Sequence, residues 1–268
     1  MNSDNLINPI LKWAGGKRQL IPELKKYIPI KFNKYVEPFI GGGALYFYLK
    51  HENSIINDNN PEIINLYKEI SKKPNLIIEE LKKYINNEKF FYALRASSPD
   101  TNLRKAARTI FLNRTCFNGL YRVNKKGEFN VPYGKSKNVN FIDAKNLLLA
   151  SKILKKTKIY NQDYKLILKK FCKKKDFVFL DPPYLPISKY SDFKRYTKEQ
   201  FYLKDHIELS ENFKQLDKKG CYLILTNSNN EIIKKLYHSF KIKIVKTKRN
   251  INSKGSKRTG EDIIITNF

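Results

Sequence analysis

Short apolar runs alternate with stretches of helical period along most of the chain, and the runs repeatedly end in an acid, a glycine or a proline. Tyr35-Val36-Glu37-Pro38-Phe39 predicts a first strand, Gly41-Gly42-Gly43 a turn, and Ala44-Leu45-Tyr46-Phe47-Tyr48-Leu49 a helix. A second strand over 54–57 ends at Asp58, and Pro61 suits the first turn of a helix carrying Ile63, Ile64 and Leu66. From there to about residue 140 the pattern changes. Helices are expected over 75–84 and 103–112, then a turn-rich basic segment over 118–137, with no run suited to a parallel sheet. Alternation resumes with a helix over 143–155, a strand over 158–160, a helix over 165–171 and a strand over 177–180. A helix over 198–216, a strand over 221–225, a helix over 230–237 and strands over 242–245 and 263–266 complete the pattern. Two sequence-distant blocks of βα units predict an α/β fold with one doubly wound, mostly parallel sheet. Residues 1–58 and 143–268 would build it, and 59–142 would form a small helical plus hairpin insertion.

Charge changes this picture more than composition does. The 268 residues are 41% hydrophobic, ordinary for a globular chain, but 53 Lys+Arg against 25 Asp+Glu give a net charge of +28. Such an excess attracts polyanions, and nucleic acid is the expected partner. Most of the basic residues are lysines, which a biased composition also explains as solvated surface. Arg95, Arg104, Arg108, Arg114 and Arg122 are more pointed, because a guanidinium reads phosphate and guanine bidentately; their stretch is a candidate nucleic-acid face. No apolar run approaches a bilayer span and residues 1–5 lack a signal pattern, so a cytoplasmic, nucleoid-associated protein is expected, with no membrane partner. Cys116, Cys172, Cys221 and His51, His206, His238 show no metal-ligand spacing and read as structural or surface residues, so no metal is expected.

The pointed chemistry is Asp181-Pro182-Pro183-Tyr184, directly behind the strand Phe177-Val178-Phe179-Leu180. The C-terminal ends of such strands carry the ligands of α/β folds. A carboxylate, a proline carbonyl outside any ladder and a stacking ring together suit an aromatic amine, such as the exocyclic group of adenine or cytosine. Phe39-Ile40-Gly41-Gly42-Gly43 lets a backbone approach a ligand at a helix N-terminus; taken alone it is equally a tight strand-to-helix turn. Asp58, ending the next strand, is placed to hold ribose hydroxyls. Lys12-Trp13-Ala14-Gly15-Gly16-Lys17 adds an indole wall and a cation for a carboxylate. S-adenosylmethionine carries that inventory of groups.

In this order, with Phe117-Asn118-Gly119-Leu120-Tyr121-Arg122-Val123-Asn124, Phe129-Asn130-Val131-Pro132-Tyr133-Gly134 and Ile264-Ile265-Thr266-Asn267, the chain resembles the alpha-group amino-methylating DNA methyltransferases nearly end to end. Within them it is most similar to the Dam/DpnM-type adenine methyltransferases. The resemblance implies a Rossmann-like methyltransferase fold and S-adenosylmethionine as cofactor. Trp13 and Lys17 would contact its methionine part, Glu37, Phe39, Gly41 and Gly43 would wrap it, Asp58 would bind its ribose, and Asp163 and Tyr164 would border its adenine. Trp13 also reads as a core aromatic and Asp163 as a helix cap. On the duplex DNA, the resemblance implies that Arg122 reads a guanine, Leu120 and Pro132 contact a thymine methyl, Asn118 orients the backbone or the target, and Lys12 reaches a further guanine, within GATC. A phosphate contact remains the other reading of Arg122, and Phe117 and Tyr121 are either hairpin packing or intercalating wedges. A cognate restriction endonuclease would be a possible companion.

An adenine amine is a weak nucleophile because its lone pair is delocalised into the ring. Asp181 and the Pro182 carbonyl would each accept one of its N–H bonds while Tyr184 stacks on the flipped base, so the catalytic set is Asp181, Pro182 and Tyr184. Methylation of cytosine on its amino group, and a catalytically silent DNA-binding protein of the same fold, are the alternatives. The stretch after the tetrad, where Lys189, Lys194 and Arg195 bracket Tyr190, Phe193 and Tyr196, departs from the family pattern in its basicity. It either closes over the target or is a solvated charged loop.

Overall fold

The computed structural model describes residues 6–13, 17–124, 126–136, 138–185, 201–248 and 259–268. Strands β1 (Tyr35–Glu37), β2 (Ser54–Asn57), β3 (Lys158–Tyr160), β4 (Phe177–Leu180), β5 (Tyr222–Ser228), β6 (Lys241–Lys248) and β7 (Thr259–Thr266) form one seven-stranded sheet in the order β3-β2-β1-β4-β5-β7-β6. The pairs from β3 to β5 are parallel, and β7 runs antiparallel to both β5 and β6. This is the doubly wound α/β architecture of the Rossmann-like methyltransferase kind that the resemblance implies.

Alternation along the strands divides the core in two. In β4, Phe177 and Phe179 point to one face and Val178 and Leu180 to the other, with both faces covered, as a buried parallel strand requires. On the first face lie α1 (Ile21–Leu24), α2 (Ala44–Leu49), α3 (Pro61–Lys72), α4 (Pro74–Lys82), α5 (Glu88–Ala96), α6 (Asn102–Thr115) and α7 (Ala144–Leu154). Phe91, Ile110 and Phe111 from the 59–142 stretch join the same apolar cluster as Ile56 and Phe177, so these helices share one core with the sheet. The second face is covered by α8 (Tyr164–Phe171), α9 (Leu203–Lys218) and α10 (Glu231–Leu236).

Local signals explain most element ends. Asn60 accepts from the N–H groups of Glu62 and Ile63, and Pro61 occupies the first turn of α3, where a missing N–H costs nothing. Asp143, Asp163 and Asn230 likewise cap α7, α8 and α10. Three features differ from expectation. β1 stops at Glu37, because Pro38 has no N–H to continue the ladder. Helix α5 was not foreseen, and β6 and β7 are longer than their apolar centres. The expected start of α9 at 198–200 lies outside the described residues; the helix begins at Leu203. Among the described residues, no helix is long and apolar enough to cross a membrane.

Candidate active site

β2 and β3 lie to one side of β1, β4 and β5 to the other, so the chain reverses its winding between β1 and β4. A crevice forms at the carboxyl ends of strands where that happens. Both chemistry-bearing motifs, Phe39 to Gly43 behind β1 and Asp181 to Tyr184 behind β4, open onto it.

The glycine turn is pinned from three directions. Ile40 N–H donates to Asn57 C=O at 2.9 Å, Gly41 N–H donates to an Asp58 carboxylate oxygen at 2.9 Å, and Gly41 C=O accepts from Tyr67 Oη at 2.7 Å. Gly41 has φ +44°, and a Cβ there would stand 2.8 Å from Trp13 Nε1, so only glycine lets the indole lie on the turn. The other Asp58 oxygen accepts from Asn60 N–H at 3.0 Å. Burial pushes the Asp58 carboxyl up to about 6, against the lowering effect of the Asn60, Gly41 and Asn59 amides. Glu37 is buried beneath the turn and accepts from Tyr35 Oη at 2.7 Å; burial holds its carboxyl well above the usual range. Phe39 packs on Tyr164 with ring centroids 5.0 Å apart, and Phe201 stands edge-on to Phe39 at 5.9 Å, giving an aromatic wall. Asp163 is exposed, and its carboxylate caps α8 through Lys165 N–H at 2.9 Å.

At the tetrad, Asp181 Oδ1 is 2.7 Å from Lys17 Nζ and accepts from Thr226 Oγ1 at 2.7 Å. Among the described residues, Oδ2 carries no hydrogen bond. Burial raises the Asp181 carboxyl, and the Lys17 ammonium and the Thr226 hydroxyl oppose that rise. Lys17, expected at a cofactor carboxylate, is itself buried and also lies 4.6 Å over the Tyr184 ring. Tyr184 Oη donates to Asp262 on β7 at 3.2 Å, and burial keeps its phenol protonated. His206 on α9 is buried, which lowers its imidazole to about 4, and among the described residues its Nε2 finds no hydrogen-bond partner. Thr226, Asp262, Phe201 and His206 had no motif to announce them. The available signal was positional: the apolar run of β5 turns polar at Thr226-Asn227-Ser228, at the same sheet end as the tetrad.

The basic stretch divides sharply. Arg108 donates to the Leu94 and Arg95 carbonyls, Arg114 to those of Ile10 and Pro9, and Arg95 to that of Val131; Arg104 pairs with Asp100. Arg95, Arg108 and Arg114 thus tie main-chain segments together, which corrects the reading of these three as a nucleic-acid face, whereas Arg104 is exposed on the surface of α6. Arg122 is different. Its Nε donates to Asn130 Oδ1 at 2.9 Å across a hairpin closed by the Val123–Phe129 bridge, and among the described residues its terminal nitrogens carry no hydrogen bond. Of the other expected DNA contacts, Asn118, with φ +54°, Pro132 and Lys12 are exposed and Leu120 is half-buried, and the Lys12 side chain crosses Gly119. Phe117 is 51% exposed, whereas Tyr121 is buried, its ring tilted by 30° against Trp13 with centroids 5.0 Å apart and its hydroxyl donating to Glu62 at 2.8 Å. Tyr121, expected among the DNA contacts, therefore packs inward. Ala14-Gly15-Gly16 and the basic loop bearing Lys189, Tyr190, Phe193, Lys194, Arg195 and Tyr196 lie outside the described residues.

Residues 13–251 match the family model described as D12 class N6 adenine-specific DNA methyltransferase. The chain belongs to that family. The D12-class chain is 40% identical over 273 residues to the Type II methyltransferase M1.LlaDCHI of Lactococcus lactis subsp. cremoris, covering 98% of this chain and 96% of that protein. It is 41% identical over 288 residues to the Type II methyltransferase M.MjaIII of Methanocaldococcus jannaschii, covering 98% and 99%. To a DNA adenine methylase of Vibrio cholerae it is 30% identical over 268 residues, covering 96% and 95%. As a D12-class enzyme it methylates the N6 amine of adenine in DNA, which sets aside the cytosine and the silent alternatives, and its reaction requires a methyl donor. Its three cysteines are buried, and burial pushes the Cys116 and Cys221 thiols up to about 12 and about 11. Among the described residues no cluster of potential metal ligands occurs.

Proposed function

We propose that this D12-class enzyme transfers a methyl group from S-adenosylmethionine to adenine N6 within GATC duplexes, after flipping the adenine out of the stack. The observation that carries this reading is the arrangement at Asp181: Oδ1 is taken by Lys17 and Thr226, which leaves Oδ2 to accept one N–H of the target amine.

The donor set suits the cofactor. Asp58 at the end of β2 matches two ribose hydroxyls, the wall of Phe39, Tyr164 and Phe201 matches an adenine ring, and Trp13 over Gly41 and Gly42 offers an apolar side for the methionine chain. Glu37 and Gly43 line the same turn, and Asp163 holds Tyr164 in place as the cap of α8. Lys17 presents three donors, so its bond to Asp181 is compatible with a second bond to a cofactor carboxylate. When bound, S-adenosylmethionine supplies a methyl group activated by a positively charged sulfur.

The protein's part is to make the amine a nucleophile. Asp181 Oδ2 and the Pro182 carbonyl each accept an N–H, drawing the nitrogen toward tetrahedral geometry and its lone pair out of the ring. Tyr184, held at its hydroxyl by Asp262 and over its ring by Lys17, supplies the stacking surface for the flipped base. The product's extra proton leaves to Asp181 or water, since an arylammonium is acidic enough for either.

Sequence reading falls to residues 59–142 together with Lys12, while the rest of 1–58 and 143–268 holds the cofactor. The terminal nitrogens of Arg122 face a guanine edge, Leu120 and Pro132 a thymine methyl, Lys12 the other guanine, Asn118 the backbone beside the target, and exposed Phe117 fills the vacated stack. The Type II names of two relatives support a companion endonuclease cutting the same site. The test is methylation of plasmid DNA by purified enzyme, read by sequencing that detects modified bases. Adenine marks confined to GATC are expected, and absent for Asp181→Ala although that variant still binds the duplex. Marks on another motif refute the site assignment, and marks retained by Asp181→Ala refute the mechanism.

A further inference from the structure

The segment between Asn8 and Lys12 runs past both Gly119 and the glycine turn at Gly42, yet it belongs to no strand or helix. Side chains hold its backbone instead. Asn146 on α7 accepts from Asn8 N–H at 2.8 Å and donates to Asn8 C=O at 2.9 Å. Arg114 donates to Ile10 C=O at 2.9 Å and Pro9 C=O at 3.2 Å. Its neighbour Asn113 accepts from Lys12 N–H and donates to Lys12 C=O, both at 2.8 Å, and donates again to Gly119 C=O at 3.3 Å.

Asn113 is 0% exposed. Its oxygen and both amide hydrogens are therefore used on two backbone segments, one carrying Lys12 and the other the recognition turn. The two segments also touch directly: Gly119 has φ +61°, and a Cβ there would stand 2.2 Å from Lys12 Cδ. A lysine on its own discriminates poorly, because a flexible stem lets the ammonium settle on any nearby phosphate. Anchoring its main chain to the turn that presents Arg122 limits where that ammonium can reach.

We propose that Asn113 is a specificity-determining positioning residue, locking the main chain of Lys12 to the recognition turn at Gly119 so that Lys12 and Arg122 read the duplex in one register. The proposal rests on the DNA-reading role of Lys12 given above.

The experiment measures kcat/KM on the enzyme's own duplex site and on duplexes altered at one base pair at a time, for wild type, Lys12→Ala, Asn113→Ala and the double variant. Lys12→Ala relaxes discrimination at one position by about tenfold. Asn113→Ala relaxes that same position by a similar factor, leaves the Arg122 position and the KM for S-adenosylmethionine unchanged, and adds nothing in the double variant, since both act through one contact. A uniform loss at every position, or additive effects in the double variant, overturns the proposal. If Lys12→Ala relaxes a position and Asn113→Ala relaxes none, this proposal alone fails; if Lys12→Ala relaxes none, the role of Lys12 fails with it. Should Asn113→Ala not fold, Asn113→Asp carries the test, because it keeps the volume and the acceptor for Lys12 N–H while removing the donors to Lys12 C=O and Gly119 C=O. Relaxation at the Lys12 position supports the proposal, and unchanged ratios overturn it.

Discussion

Replacing Thr226 by valine removes a single hydrogen bond at the reacting carboxylate while keeping the shape of a fully buried side chain. The lost bond is a hydroxyl donating at 2.7 Å to a charged acceptor, a class worth about 1.5–3 kcal/mol. Asp181 keeps its ion pair with Lys17 at 2.7 Å, so the carboxylate is loosened but not abandoned. If the whole of that bond serves to hold Oδ2 on the target amine, kcat falls by about 10- to 100-fold. KM for DNA and for S-adenosylmethionine stays constant, because Thr226 touches neither. A second signature has a definite sign. The Thr226 bond lowers the Asp181 pKa, so its loss raises it, and the ionised form needed for catalysis is lost at a higher pH. The acid limb of the rate profile must therefore move toward neutral pH. Single-turnover transfer of labelled methyl from pH 5.5 to 8.5, with thermal melting of both proteins, reads all three quantities. An unchanged kcat with an unmoved acid limb refutes the role given to Oδ1, and a loss explained by melting alone refutes it equally.

Three further outcomes follow from the geometry. With the Asp58 carboxyl at about 6, its ribose-binding ionised form is full above that value and depleted below it, so KM for S-adenosylmethionine should rise as pH falls through 6; calorimetric titration from pH 5 to 8 checks this, and Asp58→Asn should flatten the dependence. Burial pushes His206 down to about 4 from 6.5, so the stability of the fold with a neutral imidazole is present above 6.5 and lost as pH falls toward 4, by about 3 kcal/mol in all. Urea melts of His206→Gln should show a shallower acid loss, and an equal slope would contradict the burial argument. Arg122→Gln should cost about 1–3 kcal/mol of discrimination at one guanine in competition assays, and an equal weakening on every duplex would instead assign it to a phosphate.

The tetrad, the glycine turn and Asp58 were legible because each stands immediately behind an apolar run, and the register of a parallel sheet carries such positions to one edge. Thr226, Asp262 and Asn113 were not, since each acts on a partner distant in the chain: 45 residues separate Thr226 from Asp181, 78 separate Tyr184 from Asp262, and 101 separate Asn113 from Lys12. The arginines show the opposite failure. Residue type alone marked all of them for nucleic acid, but a guanidinium satisfies buried carbonyls as readily as phosphates, and Arg95, Arg108 and Arg114 are spent in that way. Helix α5 escaped notice because only Phe91 of its nine residues is fully buried, while Phe90, Tyr92 and Leu94 pack on the core only in part.

The position of β7 bears on how the enzyme comes into being. It follows the other six described strands, yet it lies inside the sheet, between β5 and β6. While the polypeptide is still emerging from a ribosome, β5 has no neighbour on that side and Tyr184 has no Asp262 to hold its hydroxyl. A product that stops short of β7 thus lacks Asp262 and its hold on the Tyr184 hydroxyl, and leaves one edge of β5 unpaired.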